Sequence, residues 1–171
     1  MGLDSYLTMS VYYPSRNFNN SKENIDTYKA LVDMSNIAAL KPYLEGPGKN
    51  EDMHYVSIEY DIAYWRKAYG IHHWFVENVQ GGVDNCEKYF VPQQAFFSLK
   101  SATERLLSMS KADMDKDIEL TASLIGAIEM ENDWYLDNIQ KAFNACSFAI
   151  DVFDEIQDSF STVSFYYRAS W

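Results

Sequence analysis

The segment Tyr64–Gln80, with the sequence YWRKAYGIHHWFVENVQ, carries the most information about the fold. When it is drawn as a helix at about 100° per residue, one broad face is apolar. That face carries Tyr64, Trp65, Ala68, Ile71, His72, Phe75, Val76 and Val79. Gly81 and Gly82 follow the segment, as expected where a helix ends. We therefore predict an amphipathic helix over residues 64–80.

Segments that favour strands lie on both sides of this predicted helix and near both ends of the chain. Alternating apolar residues and β-branched or aromatic composition predict strands at 3–13, 53–60 and 162–167, with a short extended piece at 84–90. Composition and apolar spacing predict further helices at 26–44, 93–109, 120–128 and from Leu136 to Phe153. This order predicts a single α+β domain over residues 1–171, with a mainly antiparallel sheet and helices packed on it.

The composition excludes several classes of protein. The 171 residues are 47% apolar and 16% aromatic, which is incompatible with wholesale disorder. The formal net charge is −11, so the long-range field has the wrong sign for coating duplex DNA. We therefore expect an acidic globular protein that does not bind duplex DNA by itself.

The sequence predicts neither a membrane-spanning segment nor a metal site. No stretch reaches the ~18 apolar residues of a membrane span, and residues 1–20 lack the features of a signal peptide. Cys86 and Cys146 are too few for a disulfide framework or a zinc site. His72 and His73 point about 100° apart on a helix and cannot share one metal. We expect a cytoplasmic protein without a cofactor or metal, and its aromatic content makes a homodimer plausible.

His72 lies inside the apolar face of the predicted helix, where an imidazole needs partners for its ring nitrogens. One interpretation is a core histidine that hydrogen-bonds a backbone carbonyl. The other is a ligand contact or proton carrier at a pocket wall, because histidine titrates near neutral pH. His73, by contrast, is predicted to be solvated.

Trp65, Arg66 and Lys67 form a basic and aromatic cluster in an otherwise acidic chain. Arginine holds an anion with a planar fork, and tryptophan stacks on flat groups. The cluster therefore favours a ligand that carries phosphate. The alternative is that Arg66 and Lys67 pair with surface carboxylates.

Several segments resemble one family of small phage and prophage proteins. Met1–Leu7 (MGLDSYL) resembles its opening, and Tyr64–Ala68 (YWRKA) with Ile71–Val76 (IHHWFV) resembles its central motif. Tyr166–Trp171 (YYRASW) resembles its C-terminus, whereas Ser5, Tyr69–Gly70 and Ala169 depart from its pattern. The family is functionally uncharacterised, so the resemblance implies a phage or prophage origin and action in the host cytoplasm but no mechanism.

Two acidic clusters lie in the C-terminal half of the chain. Asp113–Glu119 alternates carboxylates as an EF-hand loop does, but Ile118 and Leu124 occupy the positions that need glycine and glutamate. The second cluster comprises Glu129, Glu131, Asp133 and Asp137. It is compatible with favourable charge at a helix N-terminus or with a docking face for a basic partner.

These residues support two classes of function. The first is a non-catalytic, phage-encoded binding protein that counters a host defence system. It would cover a basic host protein with its acidic surface, or sequester a small anionic nucleotide signal. The contacts predicted for the nucleotide are Trp65, Arg66, Lys67, His72, Arg168 and Trp171. The alternative is a small phosphoesterase or nucleotide-modifying enzyme. In it His72 would be the acid/base, Arg66 would stabilise charge, and an acid such as Asp84 would orient the histidine.

Overall fold

The computed structural model describes residues 2–14, 30, 55–110, 113, 133–156 and 162–171. Within these residues the strands are β1 (Asp4–Pro14), β2 (Tyr55–Arg66), β3 (Tyr89–Phe90) and β4 (Thr162–Ser170), and the helices are α1 (Tyr69–Asn78), α2 (Gln93–Ser108) and α3 (Asp133–Ile156). The strands form one antiparallel sheet in the order β2-β1-β4-β3. The predicted α+β class with a mainly antiparallel sheet is confirmed.

The sheet buries one face against the helices because side chains alternate along each strand. On β4, Phe165, Tyr167 and Ala169 are fully buried, while Arg168 between them is exposed. Phe165 contacts Phe96 of α2 with ring centroids 5.0 Å apart. Tyr167 stacks on Phe75 of α1. Phe165 and Tyr167 therefore belong to the face of the sheet on which α1 and α2 pack.

The chain divides into two compact units. The first comprises Met1–Met9, Tyr60–Glu155 and Ser164–Trp171, and the second comprises Ser10–Glu59 and Ile156–Val163. The helices α1 and α2 lie wholly in the first unit, together with most of α3. The prediction of one domain over 1–171 stays a prediction.

The predicted helix over 64–80 is wrong at its start, because α1 begins at Tyr69. Trp65 and Arg66 belong to β2, and the chain turns at Lys67, which has a φ of 56°. The backbone N–H of Lys67 donates to the carbonyl of Leu3 at 2.7 Å, which anchors this turn to the residue that precedes β1. Residues Tyr64–Arg66 alternate exposed, buried, exposed, as a strand requires.

The other described elements overlap their predictions, with bounds that differ by up to six residues, and the extended piece predicted at 84–90 is a strand only at Tyr89–Phe90. The helix predicted at 93–109 is α2, and the one predicted from Leu136 begins three residues earlier, at Asp133. The strand predicted at 53–60 continues to Arg66. The helix predicted at 120–128 lies outside the described residues, as does the one at 26–44 apart from Ala30. Among the helices described, none is both long and apolar enough to cross a membrane.

Candidate functional site

The buried face of α1 carries His72 towards the end of β4. His72 is 5% exposed, and its neighbours Ile71 and Phe75 are each 1% exposed. This burial follows from the apolar spacing that the sequence shows on residues 69–78. The imidazole is thus held inside the core, where both of its nitrogens need partners.

Two side chains supply those partners. Nδ1 of His72 lies 2.8 Å from the hydroxyl of Tyr167, and Nε2 lies 3.1 Å from Oδ1 of Asp84. A carboxylate only accepts hydrogen bonds, so Nε2 carries the proton and donates a hydrogen bond to Asp84. The hydroxyl of Tyr167 then donates to Nδ1. Neither partner is the backbone carbonyl that the core interpretation predicted.

Asp84 reaches His72 because the chain reverses after α1. Gly81 and Gly82 form this turn with φ values of +66° and +78°, a region that glycine occupies without steric cost. The N–H of Gly82 donates to the carbonyl of Val76 at 2.8 Å, which fixes the turn to the helix. The predicted glycine stop therefore also brings the carboxylate of Asp84 to the imidazole.

Tyr167 is fully buried, and its ring stacks on Phe75 with centroids 3.9 Å apart and planes 6° apart. Burial strongly raises the pKa of the Tyr167 hydroxyl. The hydroxyl therefore stays protonated over the pH range in which proteins are ordinarily stable, and it can donate to Nδ1 as long as the imidazole is neutral. Tyr167 is a partner of the site that sequence reasoning missed.

Burial also governs the protonation of His72. It lowers the pKa of the imidazole, and the nearby His73 lowers it further, whereas the charge of Asp84 and its hydrogen bond raise it by less. The net shift is downward from the ordinary value of about 6.5. His72 is therefore neutral at pH 7, and its contact with Asp84 is a hydrogen bond rather than an ion pair.

This shift predicts a pH dependence of stability. The unfolded chain takes up the His72 proton at higher pH than the folded chain does, so the free energy of unfolding falls as the pH drops below about 6.5. We expect the difference in urea stability between pH 7.5 and pH 5 to be smaller in His72→Gln than in the wild type. His73→Gln, at the exposed neighbour, serves as the control and should keep most of the wild-type difference, because His73 makes the smallest of the contributions to the shift of His72. Equal pH dependence in the wild type and His72→Gln would contradict the lowered pKa.

A pocket of about 430 Å³ opens beside this histidine, and we call it the His72 pocket. Its lining consists of Tyr69, His72, His73, Val76, Asp84 and Trp171. The ring of Trp171 meets His72 edge-on, with centroids 4.9 Å apart and planes 85° apart. The pocket thus combines aromatic walls with one carboxylate, and it can hold a flat or cationic group.

Of the six predicted ligand contacts, His72 and Trp171 line this pocket and the other four lie elsewhere. Trp65 is 1% exposed, and its indole N–H donates to the backbone carbonyl of Asn138 at 3.3 Å. Its ring contacts Phe75 in the core, with centroids 6.3 Å apart. Trp65 therefore joins β2 to α3 and has no free face on which a ligand could stack.

The three predicted basic contacts are all exposed and outside the lining of the His72 pocket. Arg66 ends β2, and Lys67 forms the turn that follows. Arg168 lies on β4 between two buried residues, and its Nε donates to the carbonyl of Cys86 at 3.2 Å. Strand alternation separates Arg168 from the buried side chains around His72.

The acidic cluster is only partly described. Asp133 begins α3, and Asp137 is exposed on this helix. Glu129 and Glu131 lie outside the described residues. The docking face that these four residues were predicted to form stays a prediction.

The two cysteines occupy different environments. Cys146 of α3 is buried, and burial raises its pKa to about 12. Cys86 is exposed. Within the part of the chain that the structure describes, no three His, Cys, Asp or Glu residues are grouped as a metal site would require.

Comparison with known proteins adds no relative to this description. Neither a family model nor a curated protein nor a solved structure matches the chain.

Proposed function

We propose that this chain is a phage-encoded, non-catalytic binding protein that counters a host defence system by covering a basic host protein with its acidic surface. The phage origin and the cytoplasmic site of action rest on the resemblance of the N-terminal, central and C-terminal segments to one phage family. The choice of binding over catalysis, and of a basic partner over a nucleotide, rests on the chemistry around His72.

The observation that carries the proposal is the complete engagement of the His72 ring. Nε2 is held by Asp84 and Nδ1 by Tyr167, at 3.1 and 2.8 Å. A general acid or base must reach the substrate proton with one of its own atoms. The group at Nδ1 is a fully buried phenol, which has no access to a substrate. This arrangement favours a rigid binding site over proton transfer.

The charge of the chain favours a basic partner. The net charge is −11, and Asp84 contributes a carboxylate directly to the His72 pocket. None of the described residues in its lining is a lysine or an arginine that could hold a phosphate. An acidic surface accelerates association with basic partners and disfavours anionic ones. Sequestration of an anionic nucleotide is therefore the less favoured form of binding.

The proposal is tested by recovering the purified protein from host lysate and identifying what comes with it by mass spectrometry. We expect a stoichiometric basic protein, with binding that weakens as the salt concentration rises because surface charges are screened. Heating the recovered complex and analysing the supernatant tests the other functions in the same sample.

Two results would contradict the proposal. An intact nucleotide released on heating, without a basic protein, would favour sequestration. A chemically altered nucleotide would favour the phosphoesterase or nucleotide-modifying alternative, and His72→Asn would then be expected to abolish the conversion. A control with the lysate passed over the empty matrix identifies proteins retained without the chain.

A further inference from the structure

The His72 pocket places one carboxylate beside two half-exposed aromatic rings. Tyr69 and Trp171 are 49% and 48% exposed, and the side chain of Asp84 is 47% exposed. The carboxylate of Asp84 contacts His72, and burial lowers the pKa of His72 so that the imidazole is neutral at pH 7. Aromatic faces carry negative electrostatic potential. The pocket therefore presents negative charge and negative potential to whatever enters it.

We infer that the His72 pocket receives an arginine side chain of the basic protein partner, with its guanidinium against the rings and its N–H groups on Asp84. This inference rests on the proposed function, since it names the group by which that partner would be anchored. Guanidinium is planar, stacks on aromatic faces and pairs with a carboxylate through a fork of donors. Lysine carries the same charge, but its ammonium group is not planar and does not present a fork of donors.

A hydrogen bond from His72 orients the carboxylate of Asp84 before any partner binds. The Nε2–H of His72 donates one hydrogen bond to Oδ1 of Asp84, at 3.1 Å. An ionised carboxylate has about four acceptor sites, so the remaining ones can accept from a guanidinium. The imidazole is itself fixed by the buried hydroxyl of Tyr167 at 2.8 Å. A carboxylate fixed before binding loses less entropy when the partner arrives.

The walls also suit a flat cation. The ring of Trp171 makes a T-shaped contact with the imidazole of His72, and Tyr69 belongs to the first turn of α1. The volume of about 430 Å³ falls within the range of ligand pockets and exceeds what one side chain needs. A phosphate would bring a second negative charge next to Asp84, which like-charge repulsion opposes.

The probe is a set of three acetylated and amidated glycine-rich peptides that differ at one position, which is arginine, lysine or citrulline. Citrulline has nearly the shape of arginine but no charge. Binding is followed by NMR through the backbone amide shifts of Tyr69–Asn78. We expect the citrulline peptide to bind about tenfold more weakly than the arginine peptide, since hydrogen bonds between charged groups contribute the difference. Equal binding of the two peptides would overturn the inference.

Variants locate the site. Asp84→Asn keeps an acceptor for His72 but removes the charge, and it should weaken binding of the arginine peptide about tenfold. Trp171→Ala should weaken it about threefold through loss of the cation–π contact. Asp151→Asn on α3 and Phe97→Ala on α2 are matched controls at an exposed acid and an exposed ring, and they should bind as the wild type does. Unchanged binding in both Asp84→Asn and Trp171→Ala would overturn the inference.

Repeating the lysate recovery with Asp84→Asn separates this inference from the proposed function. If wild type and Asp84→Asn recover the same basic protein equally, the proposed function stands and the arginine anchor is wrong. If the arginine peptide binds in an Asp84-dependent way but no basic protein is recovered, the proposed function is wrong. If spermine displaces the arginine peptide and binds the pocket more tightly than the peptide does, the pocket is a polyamine site and the inference is wrong.

Discussion

Replacement of Trp65 by alanine is expected to lower the free energy of unfolding by about 3–5 kcal/mol, as for other large-to-small changes at buried aromatic residues. Trp65 is 1% exposed and contacts Phe75, so alanine leaves a cavity between β2, α1 and α3. The change also removes the indole donor to the carbonyl of Asn138. Urea unfolding followed by circular dichroism measures the loss.

The control for Trp65 is an aromatic residue of the same unit that lies on the surface. Phe97 is 42% exposed, and Phe97→Ala should change stability by about 0.5 kcal/mol or less. Trp65→Phe retains most of the buried ring and should cost less than Trp65→Ala. If Trp65→Ala left stability unchanged but abolished binding of a partner, Trp65 would be a ligand contact and the packing described here would be wrong.

Replacement of Tyr167 by alanine is expected to cost a similar amount, about 3–5 kcal/mol, because it removes a fully buried ring. That ring stacks on Phe75 and reaches from β4 to α1. Tyr167→Phe separates the hydroxyl from the ring. It keeps the stack but leaves Nδ1 of His72 without its donor, at an expected cost of about 1–3 kcal/mol.

The measurement is again urea unfolding, with Tyr60→Phe as the matched control. Tyr60 is 43% exposed, so removal of its hydroxyl should have little effect on stability. A Tyr167→Phe variant as stable as the wild type would mean that the hydrogen bond to His72 contributes nothing net. In that case the imidazole would not be fixed as described.

The sequence predicted the fold class because the strands and helices have distinct periods. The apolar spacing of α3 and the β-rich composition of β4 are both visible locally, and both elements form near the predicted positions. The error at Tyr64–Arg66 has a physical cause. A short run of aromatic and basic residues fits either period, and the pairing of β2 with β1 decides in favour of the strand.

The site was predictable only in part. His72 and Trp171 were both named from the sequence, and Asp84 was named as the acid that would orient the histidine. Tyr167 was missed because it lies 95 residues from His72, and its contact depends on the packing of β4 against α1. The predicted place of Trp65 was wrong for a related reason. The helical interpretation of residues 64–67 put Trp65 beside His72 on one helix face, whereas in the strand its indole donates to Asn138.

His72 is fixed by two hydrogen bonds and is neutral at pH 7. The tautomer of the imidazole tests this arrangement most directly, because it reports which nitrogen holds the proton. Long-range ¹H–¹⁵N NMR spectra of the folded protein distinguish the two neutral tautomers and follow their titration. The chain has 3 histidines, and the His72→Asn variant identifies the resonances of His72.

We expect a single tautomer with the proton on Nε2, held from pH 7.5 down to below about pH 6.5, because Asp84 accepts from Nε2 and burial lowers the pKa of His72. Averaged tautomers with a pKa at or above that ordinary value would contradict it. Such a ring would exchange protons freely, and His72 would then have the properties expected of the acid/base in the enzymatic alternative.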